Sequence, residues 1–361
     1  MVKRIGSKSN RLSAQSSSAL LGLALAFLLT QSAFLCSSGV LTAFGWALVA
    51  SLAGCLYAII FQWTDLIQSR IPEQSTWRKG IISGCLLAGG LLVLGHSLQL
   101  SGGSPWPALA IAFAPVFRDL WRRLFVGDTL NSRKEKVISL ILLGAAFAFI
   151  FPEIASMTGL RFQDGKVFSS LSLASAQAQI AVPRSAALLA AVLLGAASSL
   201  QRPQDRSIPS RTFWTIPVGL SAIILSLAGW IAMNTTGARQ PVLGNFESLA
   251  MHRLLTLSPA FLFGIVMLGI RPHIHIGNAQ RIGKDNVYWW QLLGLAAGVL
   301  FSLFLLKRPS ILGTDALSLG LLLLGQILGA FKRQPNVRFA PALSSVPLST
   351  EQEPILSTQQ H

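Results

Sequence analysis

Residues 18–36 read Ser18-Ala-Leu-Leu-Gly-Leu-Ala-Leu-Ala-Phe27-Leu-Leu-Thr-Gln-Ser-Ala-Phe-Leu-Cys36, nineteen positions without one charge. A bilayer core of roughly 30 Å needs about 20 helical residues to cross it, so this stretch reads as a transmembrane helix. Similar runs recur at 40–62, 80–99, 105–125, 137–152, 180–200, 213–234, 251–270, 288–307 and 311–331. They are continuous in Leu, Ala, Val and Gly and lack the alternation of a barrel strand. Only helices satisfy every backbone N–H and C=O within such a segment, which predicts an all-α polytopic membrane protein of about ten spans. Across the 361 residues, 52% are hydrophobic and 12% charged, a balance foreign to soluble domains.

Charge orients these spans. With the N-terminus inside, the cytoplasmic segments are the tail 1–17, the loops near 63–79, 118–136, 201–212 and 271–285, and the tail 332–361. They hold roughly 22 of the 29 Lys and Arg, as the positive-inside rule requires of ten spans with both ends cytoplasmic. The net charge of +16 is spread over loops flanking apolar runs. That distribution fits anionic lipid headgroups as partners and argues against nucleic acid. The expected location is an inner or plasma membrane. Lys3, Arg4, Lys8 and Arg11 precede the first apolar run, but bulky Phe34 and Leu35 before Cys36 disfavour cleavage, so the first helix is expected to stay. The tail after Lys332 has no hydrophobic period and is expected to be disordered.

Two stretches echo one another. Trp106-Pro-Ala-Leu-Ala-Ile-Ala-Phe-Ala-Pro115-Val-Phe runs on to Gly127-Asp128, and a basic loop leads into Leu142-Leu143-Gly144. Leu257-Ser-Pro259-Ala-Phe261 runs on to Gly269, and a polar loop leads into Gln291-Leu-Leu-Gly294-Leu-Ala-Ala-Gly298. Internal repeats are usual in secondary transporters, because pseudo-symmetric halves permit alternating access. The pattern resembles the drug/metabolite transporter superfamily in its EamA-like branch, best over residues 76–151. The resemblance implies two inverted five-helix repeats, 18–152 and 180–331, joined by an external loop at 153–179. It also implies a structural role for Pro115, Gly127, Asp128, Gly144, Pro259, Gly269 and Gly294. The second copy departs from the first: Ile270-Arg271-Pro272 stands where an acidic residue would follow Gly269.

The candidate solute-binding residues are Gln31, His96, Arg118 and Asp119. On a helix, Asp119 reaches Arg122 and Arg123 at i+3 and i+4, while Arg118 and Arg122 stack. Charges within a span are expensive and so are frequently functional, although three arginines beside a basic loop also suit a helix end snorkelling to headgroups. His96 has the side chain that titrates nearest neutrality, Gln31 suits an interhelical hydrogen bond, and Asp315 lies near the outer end of the last span. These residues point to a permease for a small metabolite.

A different class stays open. Arg184, Arg239, Glu247, His252 and Arg253, with Arg161, fall in or beside the external loops. Guanidinium groups there could grip a lipid diphosphate, with Glu247 or His252 as base, as in a membrane-embedded glycosyl or lipid-linked transferase. A non-transporting scaffold also fits so few intramembrane charges. No cofactor is implied: a P-loop is absent, Cys36, Cys55 and Cys85 form no cluster, and His273-Ile-His275 lacks further ligands. Asp119→Asn separates the readings. A transporter using that site loses flux while still inserting at normal abundance, whereas unaltered uptake in whole cells would exclude Asp119 from the pathway.

Overall fold

The computed structural model describes residues 2–68, 74–126, 133–157, 162–163, 166–167, 184–200, 210–235, 250–282, 284–305 and 313–330. In chain order the helices are α1 (Val2–Ser37), α2 (Ala43–Gln68), α3 (Gln74–Leu100), α4 (Trp106–Ile111), α5 (Ala114–Val126) and α6 (Arg133–Met157). There follow α7 (Arg184–Ser199), α8 (Ser210–Thr235), α9 (Ala250–Gly264), a π-helical turn (Ile265–Ile270), α10 (Arg271–Ile282), α11 (Lys284–Leu305) and α12 (Gly313–Ala330). A two-residue antiparallel ladder, Phe162–Gln163 on Lys166–Val167, is the only sheet among the described residues. The tail 332–361, expected to be disordered, lies outside them.

Among the described residues, six segments are long and apolar enough to cross a membrane: Arg11–Ser37, Ala43–Phe61, Trp77–Leu100, Lys136–Ile154, Trp214–Ala232 and Leu257–His275. Their outer faces are as oily as their inner ones, with Leu20, Phe27, Ile60, Leu140, Phe147, Ile223 and Trp230 all exposed. Apolar patches on that scale suit lipid rather than water. The protein is all-α and membrane-embedded.

The structure corrects three sequence expectations. Residues 105–125 are not one span. Pro115 offers no N–H to the carbonyl of Ile111, so the α-helical ladder fails there. Ala112 and Phe113 bond instead to Leu109 and Ala110, each at 3.0 Å, before Phe117 bonding to Phe113 restarts the ladder. The result is the buried six-residue α4 and the separate α5. Residues 271–282 are helix rather than loop. The π turn carries the chain onward, with the Arg271 N–H bonding to Val266 O, and Pro272 is tolerated early in α10. Finally, α1 begins at Val2, so residues 2–17 of the segment taken as a tail, 1–17, are helical.

The described segments fall into ten in sequence once α4 joins α5 and α9 joins the π turn and α10. The contacts between the first five and the last five follow a rule. Exchanging each segment with the one five places later turns the α1–α11 pairing into α4/α5–α7, and α3–α7 into α1–α9/α10. It turns α3–α8 into α2–α9 and maps α2–α8, α6–α12 and α4–α11 onto themselves. Among these the α6–α7 contact, between neighbours in sequence, is the exception; within the groups, α1–α3 and α11–α12 have no counterpart of similar extent.

Glycine permits the closest of these crossings. A Cβ on Gly22 of α1 would strike Gln291 O of α11, and one on Gly294 of α11 would strike Ala19 O of α1. Such approaches replace the hydrophobic drive that lipid removes between helices. Side chains add single hydrogen bonds: Ser83 Oγ donates to Ala197 O at 2.8 Å, Ser318 Oγ to Ala145 O at 2.9 Å, and Ser51 shares 2.9 Å with Ser221. Each contributes about 0.6–2 kcal/mol. Asn278 of α10 ties to α1, its Nδ2 lying 2.8 Å from Ser18 Oγ and 3.0 Å from Ala14 O.

Gly294→Leu should therefore force α1 and α11 apart, lowering the detergent-phase melting temperature or abolishing folding. Gly320→Leu, where a Cβ meets nothing within 4 Å, should leave it unchanged. Equal melting temperatures for the two variants would contradict this packing.

Candidate functional site

A cavity of about 240 Å³ opens among α3, α5, α7, α8, the π turn, α10 and α11, so both groups of five segments wall it. Much of its lining keeps a helical spacing. Ala114 and Arg118, Leu194 and Ser198, and Met267, Arg271 and His275 each recur every four residues. Leu87, Trp214, Leu268 and Tyr288 complete most of the apolar wall.

Arg118 is placed by backbone events around it. The break before Pro115 sets the direction of α5, and α7 approaches α5 at Gly195, where a Cβ would lie 2.8 Å from both Ala114 O and Arg118 N. The guanidinium curls back on its neighbour, with Nη2 2.6 Å and Nε 3.0 Å from Asp119 Oδ1. Adjacent helical side chains do not normally face one another, and the length of Arg118 makes this pairing feasible. Asp119 is half exposed, so the bridge contributes roughly 0–1 kcal/mol. The same guanidinium lies over the Tyr288 ring, 4.5 Å from its centroid, and the His275 ring sits 4.4 Å from Tyr288. A cation over an aromatic face adds about 0.5–2 kcal/mol.

Arg271 of α10 lines the same cavity as Arg118 of α5. Among the described residues, the hydrogen-bond partner of its side chain is a weak acceptor, the Met267 Sδ at 3.0 Å from Nη1. Arg271 immediately precedes Pro272. Because Pro272 cannot donate to Leu268 O, that carbonyl is open and receives the Trp214 indole N–H at 2.7 Å. One proline thus orients both an arginine and a tryptophan of the cavity.

Of the candidate residues, Pro115 and Arg118 line this cavity, and Asp119 pairs with Arg118 at its rim. Gln31 and His96 do not join them; both are exposed on the outer faces of α1 and α3. Pro259 is buried in α9, Gly269 packs its backbone on the Tyr57 ring, and Gly144 of α6 lies opposite Leu321 of α12. Gly127 and Asp128 lie outside the described residues.

The external cluster is only partly described. Arg184 is 3% exposed, donating to Phe149 O at 3.1 Å and stacked over Trp106 and Phe149. Beside it Glu153 accepts from the Ser185 N–H and Oγ, both at 2.7 Å, so Glu153 ends buried between α6 and α7 rather than in the loop at 153–179. His252 and Arg253 lie in the first turn of α9, with side chains outside the described part, and Arg239 and Glu247 lie outside it altogether. Sequence reasoning missed Arg271, His275, Trp214 and Tyr288. The i, i+4, i+8 spacing of Met267, Arg271 and His275 was the available signal.

No family model matches the chain, and no curated protein matches it. A solved structure described as "Crystal structure of protein" is 16% identical, with a TM-score of 0.47 over 87% of this chain and 97% of that one.

The proline–tryptophan arrangement is testable as a cycle. Trp214→Phe leaves Leu268 O without its donor and should cost about 1–3 kcal/mol. Pro272→Ala restores a backbone N–H for that carbonyl and should recover part of the loss in the double variant. Costs that simply add, within about 0.5 kcal/mol, would contradict the coupling.

Proposed function

We propose that this protein is a secondary transporter of a small metabolite, working by alternating access. The observation that carries the reading is the cavity itself: a small, cation-bearing chamber whose walls come from both groups of five segments. The exchange rule among the pairings between the two groups supports two related halves. If each of the ten segments crosses once, five per half is an odd number, and the second half is inverted relative to the first. Inverted repeats with a site at their interface are an established architecture for rocking-type transport. The resemblance to the EamA-like drug/metabolite transporters, with ten spans and both ends cytoplasmic, agrees with this arrangement. The burial of Arg184 against aromatic rings counts against a lipid-diphosphate grip at that position.

In this mechanism the π turn and the α4–α5 break supply the deformable points. Both sit on segments that touch the cavity, and π turns inside α-helices are frequently found at functional sites. Rocking about them would close one mouth and open the other while the solute stays in place.

Alternating access predicts two-sided exposure of one cavity position. With Cys36, Cys55 and Cys85 replaced, a Ser198→Cys variant should react with a membrane-impermeant maleimide in right-side-out vesicles and also in inside-out vesicles. Labelling from a single side in both preparations would overturn the transport reading.

A further inference from the structure

From the charges in this cavity we infer the class of solute: a small organic monocarboxylate with a flat, apolar body. The inference rests on the cavity being the solute site of the proposed transporter. Its first support is charge balance. Arg118 is already neutralised by Asp119 at 2.6 Å. Arg271 has no carboxylate within 4 Å among the described residues, and its guanidinium hydrogen-bonds only to a thioether. Among the described residues the chamber therefore holds one uncompensated positive charge, on a partly buried group. A charge removed from water without a partner is costly, and a bound anion supplies the missing partner.

Geometry narrows the head group. A guanidinium presents paired N–H groups in a planar fork that matches the two oxygens of a carboxylate. An anion on Arg271 would also offset the second cation of the same cavity, Arg118. A dianion would exceed the single positive charge available unless Arg118 left Asp119, so a singly charged head is the one that balances. The body of the solute follows from the remaining walls. Leu87, Leu194, Met267 and Leu268 are apolar, and Trp214 and Tyr288 offer rings against which a flat group can stack.

The test is binding by the full-length protein in nanodiscs of zwitterionic lipid, measured by calorimetry with three probes of one shape: benzoate, benzamide and benzylamine. Benzoate should bind, with the neutral and cationic probes at least tenfold weaker. Arg271→Gln should weaken benzoate at least tenfold, and Arg271→Lys, which keeps the charge but loses the fork, should weaken it severalfold. The lysine variant also keeps the test decisive if the glutamine variant fails to fold. Absence of benzoate binding, equal binding of benzamide, or unchanged affinity in Arg271→Lys would overturn the assignment. Loss of benzoate binding on changing to anionic lipid would overturn it too, marking Arg271 as a headgroup site. The thiol-labelling result separates the two proposals. Two-sided labelling without benzoate binding leaves transport standing and removes the solute class. Benzoate binding with one-sided labelling removes transport and leaves an anion site.

Discussion

In hydrocarbon every backbone N–H and C=O must find its partner inside the protein, and irregular backbone survives only where it is buried or lines a cavity. Prolines withhold a backbone donor at several places in these helices, Pro152, Pro217 and Pro259 among them, and two others, Pro115 and Pro272, line the same cavity. Pro115 withholds a donor from Ile111 and divides one apolar segment into α4 and α5. Pro272 withholds a donor from Leu268, whose carbonyl turns to Trp214. Each interruption has an arginine beside it: Arg118 one turn after the first, Arg271 immediately before the second. The cationic chamber thus lies beside two of these proline positions.

What surrounds these breaks is rigid by contrast. Lipid offers leucine as good a home as another helix does, so association relies on close backbone approach and occasional hydrogen bonds. Gly22 and Gly294 set α1 against α11, and Gly195 sets α7 against α5, the pairing that the exchange of halves makes equivalent. The last of these fixes the backbone of Arg118 directly. Packing and site therefore share residues, and substitution at such a glycine acts on the cavity through the position of a helix.

The helical content, the apolar segments and the membrane class were legible in the sequence because one-dimensional hydrophobicity carries them. Pro115 and Arg118 were legible as well, since charge and proline within an apolar run violate the local rule. Arg271 was not. The window after Gly269 is polar enough to read as a loop, and the i, i+4, i+8 spacing of Met267, Arg271 and His275 gains its meaning once the π turn carries the span onward. Gln31 and His96 failed differently: composition places a polar residue within a span but does not say which face it occupies. Their neighbours Ser32 and Ser97 are the buried ones.

The central claim is that two halves move against each other about this cavity. Spin labels at Leu124 and Arg281, exposed positions near the ends of α5 and α10, report on one mouth of it. Pulsed dipolar distances between them in nanodiscs should resolve two populations, one with the mouth open and one with it closed. A single narrow distance, unchanged across solution conditions and added solutes, would contradict the account and leave a static membrane bundle.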